Sequence, residues 1–191
     1  NQIYKDCLYQ TFMDIKNIYI ETFGCSANQN NSEIIAGILS RAGFLITNNP
    51  DIANLIIINT CIVKEKTESK IKRRIQDLTS SSKHKLIIIA GCMPETDEKK
   101  LKKLNKNLIF LGTHHTRDIL SLIRDYQENK LTEKKQIEYL SKQNEIKLCQ
   151  PKKPQNSIIS IHQISEGCLG NCSYCKTKLA KGKLFSYPSE E

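Results

Sequence analysis

The chain has 191 residues, of which 39% are hydrophobic and 26% charged, and it contains eight cysteines. This composition excludes a disordered or collagen-like chain and is typical of a soluble globular protein with one full domain and the start of another. Its longest apolar runs have only strand length, which excludes a membrane-spanning helix.

The net charge of +9 is compatible with an RNA partner, although solvated lysine-rich helix faces explain the same surplus of charge. The sequence opens without a secretory signal pattern, so we expect a protein of the reducing cytoplasm. In that compartment, many cysteines indicate metal or redox chemistry and not disulfides.

Apolar strands alternate with helix-period segments after an irregular head, residues 1–16. Ser32 is expected to cap the first helix and Gly43 to end it. Because parallel strands need crossovers of helix length, the sequence predicts an α/β domain with a parallel sheet over residues 17–127. The predicted strands are 18–24, 55–59, 85–91 and 107–112, and the predicted helices are 32–44, 66–78 and 95–104.

Three cysteines stand just beyond three of the predicted strands. They are Cys25, Cys61 and Cys92. The carboxyl ends of parallel strands share one edge of a sheet, so we expect these thiols to lie together there. His114 and His115 follow the fourth strand and could face the same edge, but a loop or capping role is more common for such a pair.

The composition of the sequence changes after the first predicted domain. Residues 128–157 are polar and contain two prolines, so they are predicted to be a linker. A new strand is predicted at 158–164, opening a region that spans 158–191. Cys7 and Cys149 lie in irregular or polar stretches, and we expect their thiols to take no part in a metal site.

The stretch EGCLGNCSYCKTK contains Cys168, Cys172 and Cys175, spaced C-x3-C-x2-C. Structural zinc takes four nitrogen or sulfur ligands, but no cysteine or histidine follows Cys175, and His162 lies on the preceding predicted strand. The ferredoxin spacing is also absent. A cubane iron-sulfur cluster on three thiolates would leave one iron open to bind a small molecule.

This spacing, with Tyr174 before the last cysteine, resembles the signature of the radical S-adenosylmethionine superfamily. The preceding three-cysteine α/β domain resembles the methylthiotransferase family over residues 17–191. The matching stretches are FGCSANQNNSE, NTCIVKEKTESK, AGCMPE and EGCLGNCSYCKTKLAKGKLFSYP. The run CKTKLAKGKLFSYP is similar to the archaeal and eukaryotic branch, which acts on N6-threonylcarbamoyladenosine in tRNA.

The resemblance implies two 4Fe-4S clusters and S-adenosyl-L-methionine, which Tyr174 would contact. The implied ligands are Cys168, Cys172 and Cys175 for the radical cluster and Cys25, Cys61 and Cys92 for an auxiliary cluster. In the implied reaction, a deoxyadenosyl radical removes hydrogen from carbon 2 of the adenine beside the anticodon. The auxiliary cluster supplies methylated sulfur, a second S-adenosylmethionine supplies the methyl group, and an electron donor protein is an implied partner.

Two other functions fit the same residues. One is a methylthiotransferase for isopentenyladenosine in tRNA or for an aspartate of a ribosomal protein. The other is a metal and RNA-binding module that is not an enzyme. Because a βα barrel needs roughly 200 residues, we expect residues 158–191 to be the truncated start of a partial barrel and the chain to be an inactive fragment of a longer enzyme.

Overall fold

A computed structural model describes residues 15–63, 65–81, 85–132 and 137–190. The strands are β1 (Asn17–Thr22), β2 (Leu45–Thr47), β3 (Leu55–Thr60), β4 (Leu86–Gly91), β5 (Ile109–Gly112), β6 (Glu138–Tyr139), β7 (Ser165–Glu166) and β8 (Phe185–Ser186). The helices are α1 (Ser26–Arg41), α2 (Glu65–Ser81), α3 (Cys92–Leu104), α4 (Ile119–Thr132) and α5 (Lys176–Lys181), and a 3-10 turn spans Thr116–Asp118. The first six strands form one parallel sheet in the order β2-β1-β3-β4-β5-β6, which confirms the predicted α/β fold.

The centre of the sheet is apolar on both faces. Every residue of β3 and β4 is buried, as expected for parallel strands covered by helices on both sides. Ile57 and Ile88 face a core that includes Leu39 of α1 and Leu122 of α4. Neighbouring strand residues point the other way, into a core with Ile71, Ile75 and Leu101 of α2 and α3. The sheet is therefore the middle layer of three.

The first helix begins earlier than predicted. It starts at Ser26, so the prediction that Ser32 caps it was wrong. Ser32 is buried inside the helix, where its hydroxyl accepts hydrogen bonds from the Thr22 hydroxyl (2.7 Å) and the Asn59 amide (2.9 Å). The polar residues before the apolar run are thus buried against polar strand ends. Gly43, with φ +95°, follows the helix end as predicted.

Two strands of the parallel sheet were not predicted. One is β2, which is only three residues long. The other is β6, which pairs with β5 and comes from within residues 128–157, the predicted linker. The end of α4 also lies in this range. The range therefore contributes to the first sheet, while the division of the chain into domains stays a prediction.

A later part of the predicted linker lies directly on α1. The Lys153 amide donates a 2.9 Å hydrogen bond to the Glu33 carbonyl. At Gly37, an added β-carbon would lie 2.3 Å from the Pro151 carbonyl oxygen, so only glycine allows the two backbones to approach this closely. We call residues 150–153 the strap.

The strand predicted at 158–164 is not formed. In the described part of the chain no neighbouring strand pairs with it, and Ile158 is 91% exposed. The first regular pairing after the strap is the short antiparallel pair of β7 and β8. The start of a barrel stays a prediction.

Most of the predicted head, including Cys7, lies outside the described residues. Among the described residues, no helix is both long and apolar enough to cross a membrane.

Candidate metal centres

The first three cysteines lie where their strands end. Cys25 immediately precedes α1, Cys61 follows β3, and Cys92 is the first residue of α3 directly after β4. Because β1, β3 and β4 are parallel neighbours, all three residues lie at the same edge of the sheet. We call them the edge cysteines.

Gly24 brings the loop of Cys25 against Cys61. Its φ is +112°, a conformation that residues with a side chain rarely adopt. An added β-carbon would lie 2.5 Å from the Cys61 β-carbon and 2.9 Å from its sulfur. The close approach of this loop to Cys61 therefore depends on glycine.

Asn28, in the first turn of α1, connects the three loops. It is fully buried, and its Nδ2 donates hydrogen bonds of 2.8 Å to the carbonyls of Phe23 and Thr60. Its Oδ1 lies 4.0 Å from the sulfur of Cys92. One side chain therefore contacts the segments that carry all three edge cysteines.

Further polar contacts hold the ends of β3 and β4. The Asn59 amide donates a 2.8 Å hydrogen bond to the Asn28 carbonyl. The Thr60 hydroxyl donates to the Ala90 carbonyl at 2.6 Å and accepts from the Met93 amide at 3.2 Å. These bonds fix the backbone on both sides of Cys61 and at the start of α3.

The edge cysteines differ in exposure. Cys25 is exposed, whereas Cys61 and Cys92 are buried. Burial raises the pKa of the Cys92 thiol to about 11, an effect that the charge of Lys181 opposes and the nearby Cys61 and Cys25 reinforce. A metal that binds here would have to displace the proton from this thiol, because thiolates are the ligands.

The second set, which we call the motif cysteines, comprises Cys168, Cys172 and Cys175 in the loop between β7 and β8. The sulfur of Cys168 accepts the Gly170 amide at 3.3 Å, and the sulfur of Cys175 accepts the Lys178 amide at 3.4 Å at the start of α5. An added β-carbon on Gly170 would lie 3.5 Å from the Cys168 sulfur and 4.0 Å from that of Cys172. These two thiols therefore lie on the same side of Gly170.

The chemistry of both sets fits an iron-sulfur cluster. Each set offers three thiols that form no disulfide, and thiolates are the usual ligands of such clusters. Within the described ranges, no three His, Cys, Asp or Glu side chains have the spacing of ligands to a single ion. A cluster of several atoms is wider than one ion and holds its ligands further apart.

The two sets are joined by packing between helices. Helix α5, which follows Cys175, packs on α3, which begins with Cys92, and Ala180 is fully buried in the same core as Met93. A cavity of about 680 Å³ lies between the residues after Cys61 and those around Cys175. It is lined by Ile62, Val63, Glu68, Ser69, Lys72, Tyr174, Cys175, Lys176 and Thr177.

We call this cavity the central cavity. Its wall carries a carboxylate that is paired with two lysines. Glu68 accepts hydrogen bonds from Lys72 (2.6 Å) and Lys176 (2.9 Å), which lower the pKa of its carboxyl to about 2. Lys176 thus links α5 to α2 across the cavity. Tyr174 is 85% exposed and lines the same space.

The histidine pair has a loop role. His115 lies 2.7 Å from Asp118 through Nδ1 and 2.8 Å from the Ser141 hydroxyl through Nε2, tying the 3-10 turn to the segment after β6. His114 is buried, with Nδ1 3.6 Å from Glu166. His162 is exposed and contacts the Ser160 hydroxyl at 2.7 Å.

Sequence reasoning missed a buried ionic cluster beside the motif cysteines. Lys147, whose side chain is wholly buried, lies 2.9 Å from Glu166, and Lys181 lies 2.7 Å from the same carboxylate. Burial alone would raise the pKa of Glu166, but the two lysines lower it to about 2. No pattern in the polar stretch marks Lys147 as buried, because the partner Glu166 is 19 residues away.

Comparisons with known proteins agree with this architecture. The chain is 40% identical over 178 residues to the "Probable threonylcarbamoyladenosine tRNA methylthiotransferase" of Methanothermobacter thermautotrophicus, a match that covers 93% of this chain and 41% of that protein. The protein of the same name from Methanocaldococcus jannaschii is 36% identical, over 95% of this chain and 40% of that protein. The "Threonylcarbamoyladenosine tRNA methylthiotransferase" of Homo sapiens is 32% identical, over 95% of this chain and 31% of that protein.

The chain thus spans between 31% and 41% of the length of these relatives. The matches confirm the resemblance to archaeal and eukaryotic methylthiotransferases. A family model described as "Uncharacterized protein family UPF0004" matches residues 17–112, the region that contains the edge cysteines and half of the chain. The chain therefore belongs to the UPF0004 family.

Proposed function

We propose that the chain is part of a tRNA methylthiotransferase that adds a methylthio group to carbon 2 of N6-threonylcarbamoyladenosine beside the anticodon. The observation that carries the proposal is the packing of α5 on α3, with the central cavity between the residues after Cys61 and those around Cys175. A reaction that needs two centres at one substrate requires them to face a common space. The names of the relatives supply the substrate.

In this proposal the edge cysteines hold the auxiliary cluster and the motif cysteines hold the radical cluster. When bound, the clusters and S-adenosylmethionine supply one-electron chemistry and the transferred sulfur and methyl group. The protein's own contribution is to hold its ligands in place. Asn28 and Thr60 fix the loops of the first set, and β7 pairs with β8 to close the loop of the second.

The central cavity is the proposed place of the small reactants. Tyr174 offers an exposed aromatic face at its wall, suited to stack on the adenine of S-adenosylmethionine. Lys72 and Lys176 place positive charge beside it. The net charge of +9 favours a tRNA partner, and a protein that donates electrons completes the proposed set of partners.

Anaerobic reconstitution with iron and sulfide tests the two metal centres. We expect about eight iron atoms per chain, from two clusters of four. Replacing all three edge cysteines with alanine should leave about four, and so should replacing all three motif cysteines. Cys149→Ser serves as the matched control, since this exposed cysteine belongs to neither set. Bound zinc without iron would contradict the proposal and favour a metal-binding module.

The substrate is tested in cells that lack the gene for the complete enzyme. Mass spectrometry of their tRNA nucleosides should show N6-threonylcarbamoyladenosine without its methylthio derivative. The complete enzyme should restore the derivative, and the same enzyme with Cys61→Ser should not. Loss of methylthio-isopentenyladenosine, or of the modified aspartate of a ribosomal protein, would identify a different target.

A further inference from the structure

A second cavity, of about 430 Å³, is lined in part by the buried ionic cluster. We call it the lysine cavity. It is lined by His114, Lys142, Gln143, Asn144, Glu145, Glu166, Lys181, Gly182, Lys183, Leu184 and Phe185. The residues come from the end of β5, the segment before the strap and the end of the loop that carries the motif cysteines.

Both carboxylates of the lysine cavity already have partners within the protein. Glu166 is held by Lys147 and Lys181. Glu145 is buried, and its carboxylate accepts the backbone amides at the start of the 3-10 turn, at 3.3 and 2.8 Å. Two buried lysines balance the two carboxylates. Any surplus charge in the cavity therefore comes from other side chains.

That surplus is positive. Lys142 and Lys183 are exposed, and in the described part of the chain neither ammonium group is in salt-bridge contact with a carboxylate, although the charge of Lys142 is felt by the Glu95 carboxyl. The stem of Lys142 passes near Gly182, where an added β-carbon would lie 3.6 Å from its δ-carbon. Nε2 of His114 is buried and accepts or donates no hydrogen bond among the described residues. The cavity thus combines two exposed ammonium groups with a buried ring nitrogen that has no hydrogen-bond partner among the described residues.

We propose that the lysine cavity binds a phosphate group of the substrate RNA. A phosphate diester brings one negative charge and several acceptor oxygens, which match the two exposed ammonium groups of the cavity. The inference rests on the proposed function, because that function makes RNA the partner. It adds a place where the RNA is held, separate from the central cavity between the two cysteine sets.

Binding of a fluorescent tRNA anticodon stem-loop by the 191-residue chain tests the proposal, measured by anisotropy over a range of salt concentrations. Lys142→Gln with Lys183→Gln should weaken binding about tenfold at low salt. It should also lower the slope of log K against log salt by about 1, as for one lost phosphate contact. The matched control is Lys103→Gln with Lys106→Gln, which changes the charge equally in the last turn of α3 and just beyond its end. It should change affinity less than threefold.

A second double variant, Lys142→Arg with Lys183→Arg, keeps both positive charges and should restore RNA binding. It thereby separates an effect of lost charge from an effect of lost folding. Equal weakening by the Lys103 and Lys106 control would overturn the proposal, since it would show only a general effect of charge.

A second experiment measures the binding of inorganic phosphate and of adenosine monophosphate, using the NMR signals of the His114 ring. Weak binding of both, well below that of the stem-loop, supports an RNA phosphate. Binding as tight as that of the stem-loop would overturn the RNA source in favour of a small phosphate ligand. These measurements need no iron, so failure of the methylthiotransferase tests and failure of this site are read separately.

Discussion

The α-carbon of Gly24 faces the side chain of Cys61 so closely that a β-carbon on Gly24 would lie 2.9 Å from the Cys61 sulfur. The geometry of the edge cysteines thus depends on a residue that has no side chain. Gly43 offers a direct comparison, because it also has a positive φ, +95°, but nothing lies within 4 Å of its added β-carbon.

Gly24→Ala should therefore disrupt the edge site, whereas Gly43→Ala should only strain the backbone. Both substitutions carry a conformational cost of about 1 to 2 kcal/mol, and Gly24→Ala adds a steric clash with Cys61. After reconstitution, Gly24→Ala should lose about half of the bound iron, and Gly43→Ala should keep it. Equal iron content in the two variants would show that the close approach is not needed.

Asn28→Ala should destabilise the protein by about 2 to 4 kcal/mol. The substitution leaves the carbonyls of Phe23 and Thr60 without the donor that now satisfies them, and each buried unsatisfied group costs about 1 to 3 kcal/mol. Urea denaturation measures the loss. Asn49→Ala is the control, since the Asn49 side chain accepts only an exposed hydrogen bond from the Asp51 amide. A loss no larger than that of the control would contradict the connecting role of Asn28.

Because of Glu95, we expect the free energy of unfolding to fall as the pH rises from about 4.5 to 7. Burial raises the pKa of its carboxyl to about 7, with the nearby His115 and Lys142 opposing the rise. Between the unfolded pKa and this value, the unfolded chain has released its proton while the folded chain keeps it, so rising pH favours unfolding. The effect is on the order of 1 to 2 kcal/mol after allowance for solvent screening.

Glu95→Gln should remove this part of the pH dependence and make the protein more stable than the parent at pH 8. Thermal melting between pH 4.5 and 8 measures the difference between the two proteins. Glu98→Gln, which removes a carboxylate further along the same helix, is the control for the loss of a carboxylate as such. A parallel pH profile for Glu95→Gln and the parent would refute the assignment.

Lys147→Met should cost about 3 kcal/mol or more of unfolding free energy. It removes the charge that lies 2.9 Å from Glu166 in a site where the lysine side chain has no exposure, and breaking a buried pair leaves a carboxylate with too little compensation. Lys100→Met is the matched control, because Lys100 pairs with Asp97 at 2.6 Å while 61% exposed. The control should cost much less, because an exposed ion pair is screened by solvent.

A double variant distinguishes pairing from simple packing. Combining Lys147→Met with Glu166→Gln should cost much less than the sum of the two single changes, since each single change leaves the other charge buried. Additive losses in urea denaturation would show that the pair contributes little.

The sheet could be predicted because β3 and β4 each begin with one leucine and three isoleucines in succession, a pattern of strands buried on both faces. The edge cysteines followed from the same pattern, since parallel strands place their carboxyl ends together. The start of α1 could not be predicted. Asparagine is a poor helix former, and Asn28 is helical here because Asn59 and Thr60, at the end of β3, offer it buried hydrogen-bond partners.

The errors after residue 127 have a different cause. Isoleucine-rich residues 158–164 have the composition of a strand, but a strand also needs a neighbour, and the described residues provide none. Conversely, β6 has only two residues and no recognisable pattern, and its position depends on the exposed edge of β5. In both cases the deciding information lies in distant residues. The roles of the six cysteines as cluster ligands stay predictions.

The contact between Gly37 and the strap limits how this protein can be recombined with its relatives. Residues 150–153 lie so close to α1 that helix and strap must fit each other as a pair, with no room for a side chain between them. A chimaera joined within residues 128–149 would combine a helix from one parent with a strap from another. Exchanges that keep α1 and the strap from the same parent are therefore the ones expected to fold.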